Sequence, residues 1–241
     1  MSSVYPAASV HGEIQQIFEN IFFVPGSIIM APGFQISRNM IIVRAGKELT
    51  LISSVRLNED GLRALDKLGE VKHVVKLGGY HLGNHNGIDD AFYVNRYQAK
   101  LWAMAGMEHS GNLETSYLLK EDGALPFNGA SFFSYHTSSM AEGLILIEQE
   151  GGILISADSL QNWQQGDPLF SEAAATRMQS LGFMRNANVG PEWRRMCEPK
   201  AEDFVRVKNL NFQHLLPSHG NPILNSAKQQ FSATFKELFN I

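Results

Sequence analysis

A single cysteine, Cys197, stands among 241 residues, so the chain can form no internal disulfide. No apolar run approaches the roughly 18 residues that a membrane helix needs, and a membrane is not expected as a partner. Positive charge is also scarce. Lys and Arg total 20 against 24 Asp and Glu, the formal net charge is -4, and no Lys/Arg-rich run overrules the total, which argues against nucleic acid as a ligand. Residues 1–12 lack the basic and long apolar regions of a signal peptide, and with the lone cysteine this predicts a cytoplasmic protein.

What the chain does have is the ordinary material of a large soluble domain. Hydrophobic residues make up 44% and charged residues 18%, enough for a substantial core, and no repeat, low-complexity segment or linker divides it. Residues 1–20 are weakly patterned, an N-terminal extension or first strand, and residues 21–241 form one domain. Ala45-Gly46-Lys47 between two apolar runs predicts a hairpin. Asn58 caps a helix through Leu68, with Glu59 and Asp60 in its first turn and Gly69 as its stop.

A strand over residues 71–77, a helix over 89–97 and a strand over 100–105 predict a parallel crossover. Residues 106–130 form an extended connection. Strands follow over 131–135, 143–148 and 153–156, then a helical and loop-rich region over 160–209, with helices over 171–181 and 201–209. A strand over 212–217 and a closing helix over 223–239 complete the chain. Phe204, Val207 and Leu210, and Phe231, Phe235 and Phe239, lie at helical period and are core faces.

The chemistry concentrates in Leu77-Gly-Gly-Tyr-His-Leu-Gly-Asn-His-Asn-Gly-Ile-Asp-Asp-Ala91, a loop with four glycines and two histidines at the end of an apolar strand. Later strand ends carry His136 in His-Thr-Ser-Ser-Met-Ala-Glu-Gly, Asp158 after Ile-Leu-Ile-Ser-Ala, and His219 in Pro-Ser-His-Gly. Cys197 has no histidine near it in sequence to make it a catalytic thiol, and Gly78-Gly79 with Gly83 matches no dinucleotide or P-loop spacing.

These four segments, in this order, resemble those of the metallo-β-lactamase-like hydrolase superfamily, from about Ile21 to the end. The family's first motif is His-x-His-x-Asp-His followed by x-Gly. Setting Asn84-His85-Asn86-Gly87 against Asp-His-x-Gly places Tyr80 and Leu82 on the first two histidines, so His85 alone is kept. The resemblance implies an α/β fold, a four-layer αββα sandwich with mixed sheets.

It implies at most one metal ion, zinc or iron, held by His85, Asp158 and His219, with His136 as a weak further ligand or nearby. Asn84, in place of the loop carboxylate, would orient water, and His81, His136 or Asp89 would act as base. The implied activity is hydrolysis of an ester, lactone or thioester-like small molecule. The alternative is a metal-free relative whose cleft, lined by Tyr80, Tyr135 and Trp163, binds a small molecule or partner.

Overall fold

The structure, a computed structural model, describes Tyr5, residues 7–80 and residues 88–241. In chain order the elements are β1 (Gln15–Phe18), β2 (Ile21–Ala31), β3 (Phe34–Ala45), β4 (Glu48–Ile52), α1 (Glu59–Leu68), β5 (Glu70–Val75), α2 (Asp89–Tyr97), β6 (Lys100–Ala103) and β7 (Tyr117–Leu118). Then come β8 (Ala130–Ser134), β9 (Gly143–Ile147), β10 (Ile153–Ser156), β11 (Leu160–Trp163), α3 (Glu172–Ser180), β12 (Arg185–Val189), α4 (Pro191–Cys197), α5 (Ala201–Asn209), β13 (His214–Pro217) and α6 (Ala227–Phe239). Among the described residues no helix is long and apolar enough to cross a membrane.

Strands β1 to β7 form one sheet in sequence order, antiparallel up to β4 and parallel from β4 to β7. The second sheet runs β13-β10-β9-β8, with β13 and β10 parallel. Side chains alternate across each strand, and here both faces of each sheet are buried. Ile21 and Phe23 of β2, Ile41 and Val43 of β3, Ile145 and Ile147 of β9, and Ile153 and Ile155 of β10 meet in a core between the sheets. Their neighbours Phe22, Val24, Met40 and Ile42 pack with Leu62, Leu65 and Phe92 of the helices on one outer face. Leu144, Leu154 and Leu215 pack with Trp193, Phe204, Phe231 and Phe235 on the other. Helix, sheet, sheet, helix is thus the direct result of apolar residues on both faces of the strands.

Local signals explain several element ends. Asn58 accepts a hydrogen bond from Gly61 N at 2.9 Å, capping α1. The Ala45-to-Glu48 turn joins β3 and β4 as a hairpin.

Pro25 and Gly26 lie inside β2, which pairs with β3 along its length; the turn lies at Pro32-Gly33, where Gly33 has φ +74. Two expectations need correction. The region 160–209 contains a two-stranded ribbon, β11 and β12, and the short helix α4, besides its helices. The closing helix begins at Ala227, because the main chain of Ile223 is instead paired with that of Leu215, in both directions.

Candidate functional site

β10 and β13 are parallel neighbours in the register Ser156↔Pro217. Two residues beyond that pair on each strand stand Asp158 and His219, so equal spacing from a shared register brings them level at the sheet edge. The outcome is direct: His219 Nε2 lies 3.1 Å from Asp158 Oδ1, with side chains only 4% and 10% exposed.

The loop carrying His219 is held from several directions. Asn39, on β3 of the opposite sheet, donates its side-chain amide to Pro217 O at 3.0 Å and Gly220 O at 2.7 Å, and its main-chain N–H to Ser218 O at 2.8 Å. Ser218 donates both N–H and Oγ–H to Ser156 O at 2.9 Å. Asn162 N donates to His219 O at 3.0 Å, and the Trp163 ring lies 5.0 Å from the imidazole. Gly220 is required here, since its φ is +91 and an added Cβ would lie 2.2 Å from the Asn162 main chain.

Asp158 has its own brace. Glu142, fully buried at the start of β9, accepts the N–H of Ser159 on Oε1 at 2.6 Å. Burial pushes the Glu142 carboxyl well above the usual carboxylate range, and the nearby Asp158 charge pushes it further. Tyr80, beyond the end of β5, packs against the core that holds Tyr135 and Trp193; burial, then the charges of Glu192 and Asp158, raise its hydroxyl to about 12. Cys197 is raised to about 11, chiefly by burial, which keeps it a thiol.

The structure brings Asp158 and His219 together and sends His136 elsewhere. The His136 imidazole is 57% exposed and its Nε2 lies 3.5 Å from Glu121 Oε1, which also receives Arg206 at 2.5 Å and Ser134 N at 2.9 Å. The main-chain N–H groups of His136 and Thr137 donate to the buried carboxylate of Asp203. Asp89 is engaged as well, paired with buried Arg38 and accepting Arg56 N at 3.0 Å, so it is an anchor for α2. His81, Asn84 and His85 lie outside the described residues. Of the aromatics assigned to a binding cleft, Trp163 and Tyr135 are instead closed into separate cores, at 2% and 4% exposure.

Do these donors suit a metal? Two ligands at 2.0–2.2 Å from one tetrahedral ion stand roughly 3.4 Å apart, close to the separation of Asp158 and His219. Among the described residues no three His, Cys, Asp or Glu side chains gather around one point, so the described donors account for two positions of such a site. Sequence reading missed Glu142 and Asn39. Both had a signal, a polar residue set directly against an apolar run, at Glu142 before Gly143-Leu-Ile-Leu-Ile and at Asn39 before Met40-Ile-Ile-Val.

No family model and no curated sequence matches the chain. Solved structures do. A metallo-β-lactamase of Hirschia baltica superposes with a TM-score of 0.60 at 12% identity, over 92% of this chain and 97% of its own. One from Erythrobacter litoralis, with β-mercaptoethanol in its active site, gives 0.62 at 11%, over 93% and 96%. The FIM-1 metallo-β-lactamase of Pseudomonas aeruginosa in its mono-zinc form gives 0.60 at 11%, over 96% and 97%. Likeness at this level of identity speaks for architecture, and with the helix-sheet-sheet-helix layering it gives this protein the metallo-β-lactamase fold.

Proposed function

We propose that this protein is a metal-dependent hydrolase working with a single ion, zinc or iron, held by His85, Asp158 and His219. The observation that carries the reading is the buried contact of Asp158 with His219 at 3.1 Å, formed by two strand ends in register and braced from both sheets. A mono-zinc metallo-β-lactamase among the structures of this fold supports the one-ion count.

When bound, the ion supplies Lewis acidity, which makes water nucleophilic near neutral pH and polarises a carbonyl. The chain supplies the rest. Burial of Asp158 and His219 keeps competing water from them, and Asn39 and Glu142 fix their orientation. Asn84 accepts a hydrogen bond from the attacking water, and His81 is the base that takes its proton. The substrate class is a small ester, lactone or thioester, whose carbonyl needs only one electrophilic partner.

The test is elemental analysis of the purified protein grown with zinc and iron, wild type beside His85→Ala and His219→Ala, followed by turnover of an ester, a lactone and a thioester. One equivalent of metal in the wild type, lost in both variants together with turnover, is the expected result. Metal-free wild-type protein, or equal metal in all three, overturns the reading.

A further inference from the structure

The two outer strands of the four-stranded sheet are finished differently. β13 is met by main chain, with Ile223 and Leu215 exchanging hydrogen bonds at 3.0 and 2.8 Å. On β8, Tyr135 N donates inward to Glu142 O at 3.0 Å. Residues of antiparallel strands face their partner alternately, so the main-chain groups of Ser134 face away from β9. Side chains take them. Glu121 Oε1 accepts Ser134 N at 2.9 Å and Ser134 Oγ at 3.2 Å, Ser134 O accepts Arg206 Nη1 at 2.9 Å, and Arg206 Nη2 closes the ring on Glu121 at 2.5 Å. The guanidinium also lies over Phe133, 4.5 Å from the ring centroid. An acceptor and a donor thus stand where the carbonyl and amide of a further strand would be.

Glu121 belongs to the connection between β7 and β8, the strands that end the order of the two sheets. Leu119, Leu125 and Phe127 of that connection share the core between the sheets with Trp102 and Phe132. An ion pair about a third exposed adds little to stability, so its energy alone does not account for a pair engaging both main-chain groups of one edge residue. The strand itself supplies a reason. Ala130-Ser-Phe-Phe-Ser-Tyr135 is aromatic and free of charge, proline and glycine, the composition of a segment that adds to another strand when its edge is open.

We propose that the Glu121–Arg206 pair is a clasp that holds the 119–127 connection over β8 and keeps this edge from pairing with β8 of a second copy. The same strand is the fitting partner, because two copies running antiparallel pair about a twofold axis. Each then gives the other the donors and acceptors that Glu121 and Arg206 supply within one chain.

The experiment measures the mass of the full-length protein by analytical ultracentrifugation over a rising concentration series, with circular dichroism as the check on folding. Wild type should sediment as one chain. Glu121→Ala and Arg206→Ala each remove half of the clasp and should give a concentration-dependent dimer, tighter in the double variant. Arg185→Ala breaks an exposed pair with Glu237, between β12 and α6, and should leave the mass at one chain. Ser134→Pro removes the outward N–H where an edge strand tolerates proline, and added to Arg206→Ala it should restore the single-chain mass. Should the proline variant fail to fold, hydrogen exchange carries the test: the amides of Phe132 and Ser134 should exchange more slowly in the Arg206→Ala dimer than in its monomer.

Folded clasp variants that keep the single-chain mass at every concentration overturn the proposal. So does a dimer that survives the proline, or one whose Phe132 and Ser134 amides exchange as in the monomer, since either places the contact elsewhere. A wild type that dimerises as strongly as the variants overturns it too.

Discussion

The ends of β13 and β8 each present a histidine beside an acid, yet only one builds a site. His219 is enclosed: the adjoining parallel strand supplies Asp158, the opposite sheet supplies Asn39, and the β11 ribbon supplies Asn162 and Trp163. His136 leaves β8, at the opposite edge of the same four-stranded sheet, and its imidazole lies in a half-exposed network with Glu121 and Arg206. The difference teaches that a histidine at the end of an edge strand becomes a candidate ligand when the adjoining strand, the ribbon and the second sheet confine it. Its own sequence motif matters less.

The sharpest way to break this comparison is to delete each imidazole. His219→Ala should destabilise the fold by about 3 kcal/mol, as expected when one member of a buried pair is removed, whereas His136→Ala should cost less than about 1 kcal/mol. Urea midpoints with unchanged slopes check both, and equal losses would erase the distinction. Close behind comes Gly220→Ala, which combines a left-handed φ with a main-chain clash and should cost about 2–3 kcal/mol by the same measurement.

Asn39→Ala strips the donors from two carbonyls beside His219 and should cost about 2 kcal/mol. It should also lower zinc affinity, read by chelator competition, while leaving the His136 region intact. A variant that loses stability with no change in affinity would show that the second sheet supports the loop without aiming the imidazole.

The smallest effect sharpens the other side. Burial works to raise the Glu121 carboxyl, but the Ser134 amide and Arg206 outweigh it and hold it below the usual 4.5. A carboxyl depressed in the folded state stabilises above its unfolded value and loses that contribution as pH falls through the folded one. Glu121→Gln should therefore cost under about 1 kcal/mol at pH 7, and the gap to wild type should close as pH drops below about 4.5. A gap independent of pH would remove charge from the account.

Much of the architecture was readable because apolar runs and end signals agreed: Asn58 and Gly69 bounding α1, Ala45-Gly46-Lys47 turning β3 into β4, and the Ile/Leu runs of β9 and β10. The β11–β12 ribbon was not, since Leu160-Gln-Asn-Trp carries no apolar alternation and Arg185-Asn-Ala-Asn-Val only the brief Ala187, Val189 pair, so both gain strand geometry from tertiary contacts. Pro25 sits inside β2 although it lacks an N–H, and its carbonyl still accepts Gly12 N at 2.8 Å. At the site, Asp158 and His219 were legible from strand-end position. Glu142 and Asn39 showed only as polar residues set against apolar runs, and their main-chain partners, 17 residues away for Glu142 and 178 for Asn39, could not be read from that signal.

The parallel pairing of β10 with β13 also has a kinetic meaning. The two halves of the Asp158–His219 contact are separated by the ribbon and three helices, α3 to α5, so the contact belongs to the costly, distant closures of folding. On a ribosome, Asp158 emerges well before its partner strand. The buried Asp158–His219 pairing is accordingly a property of the finished molecule, and a chain cut before β13 would hold Asp158 without its partner imidazole.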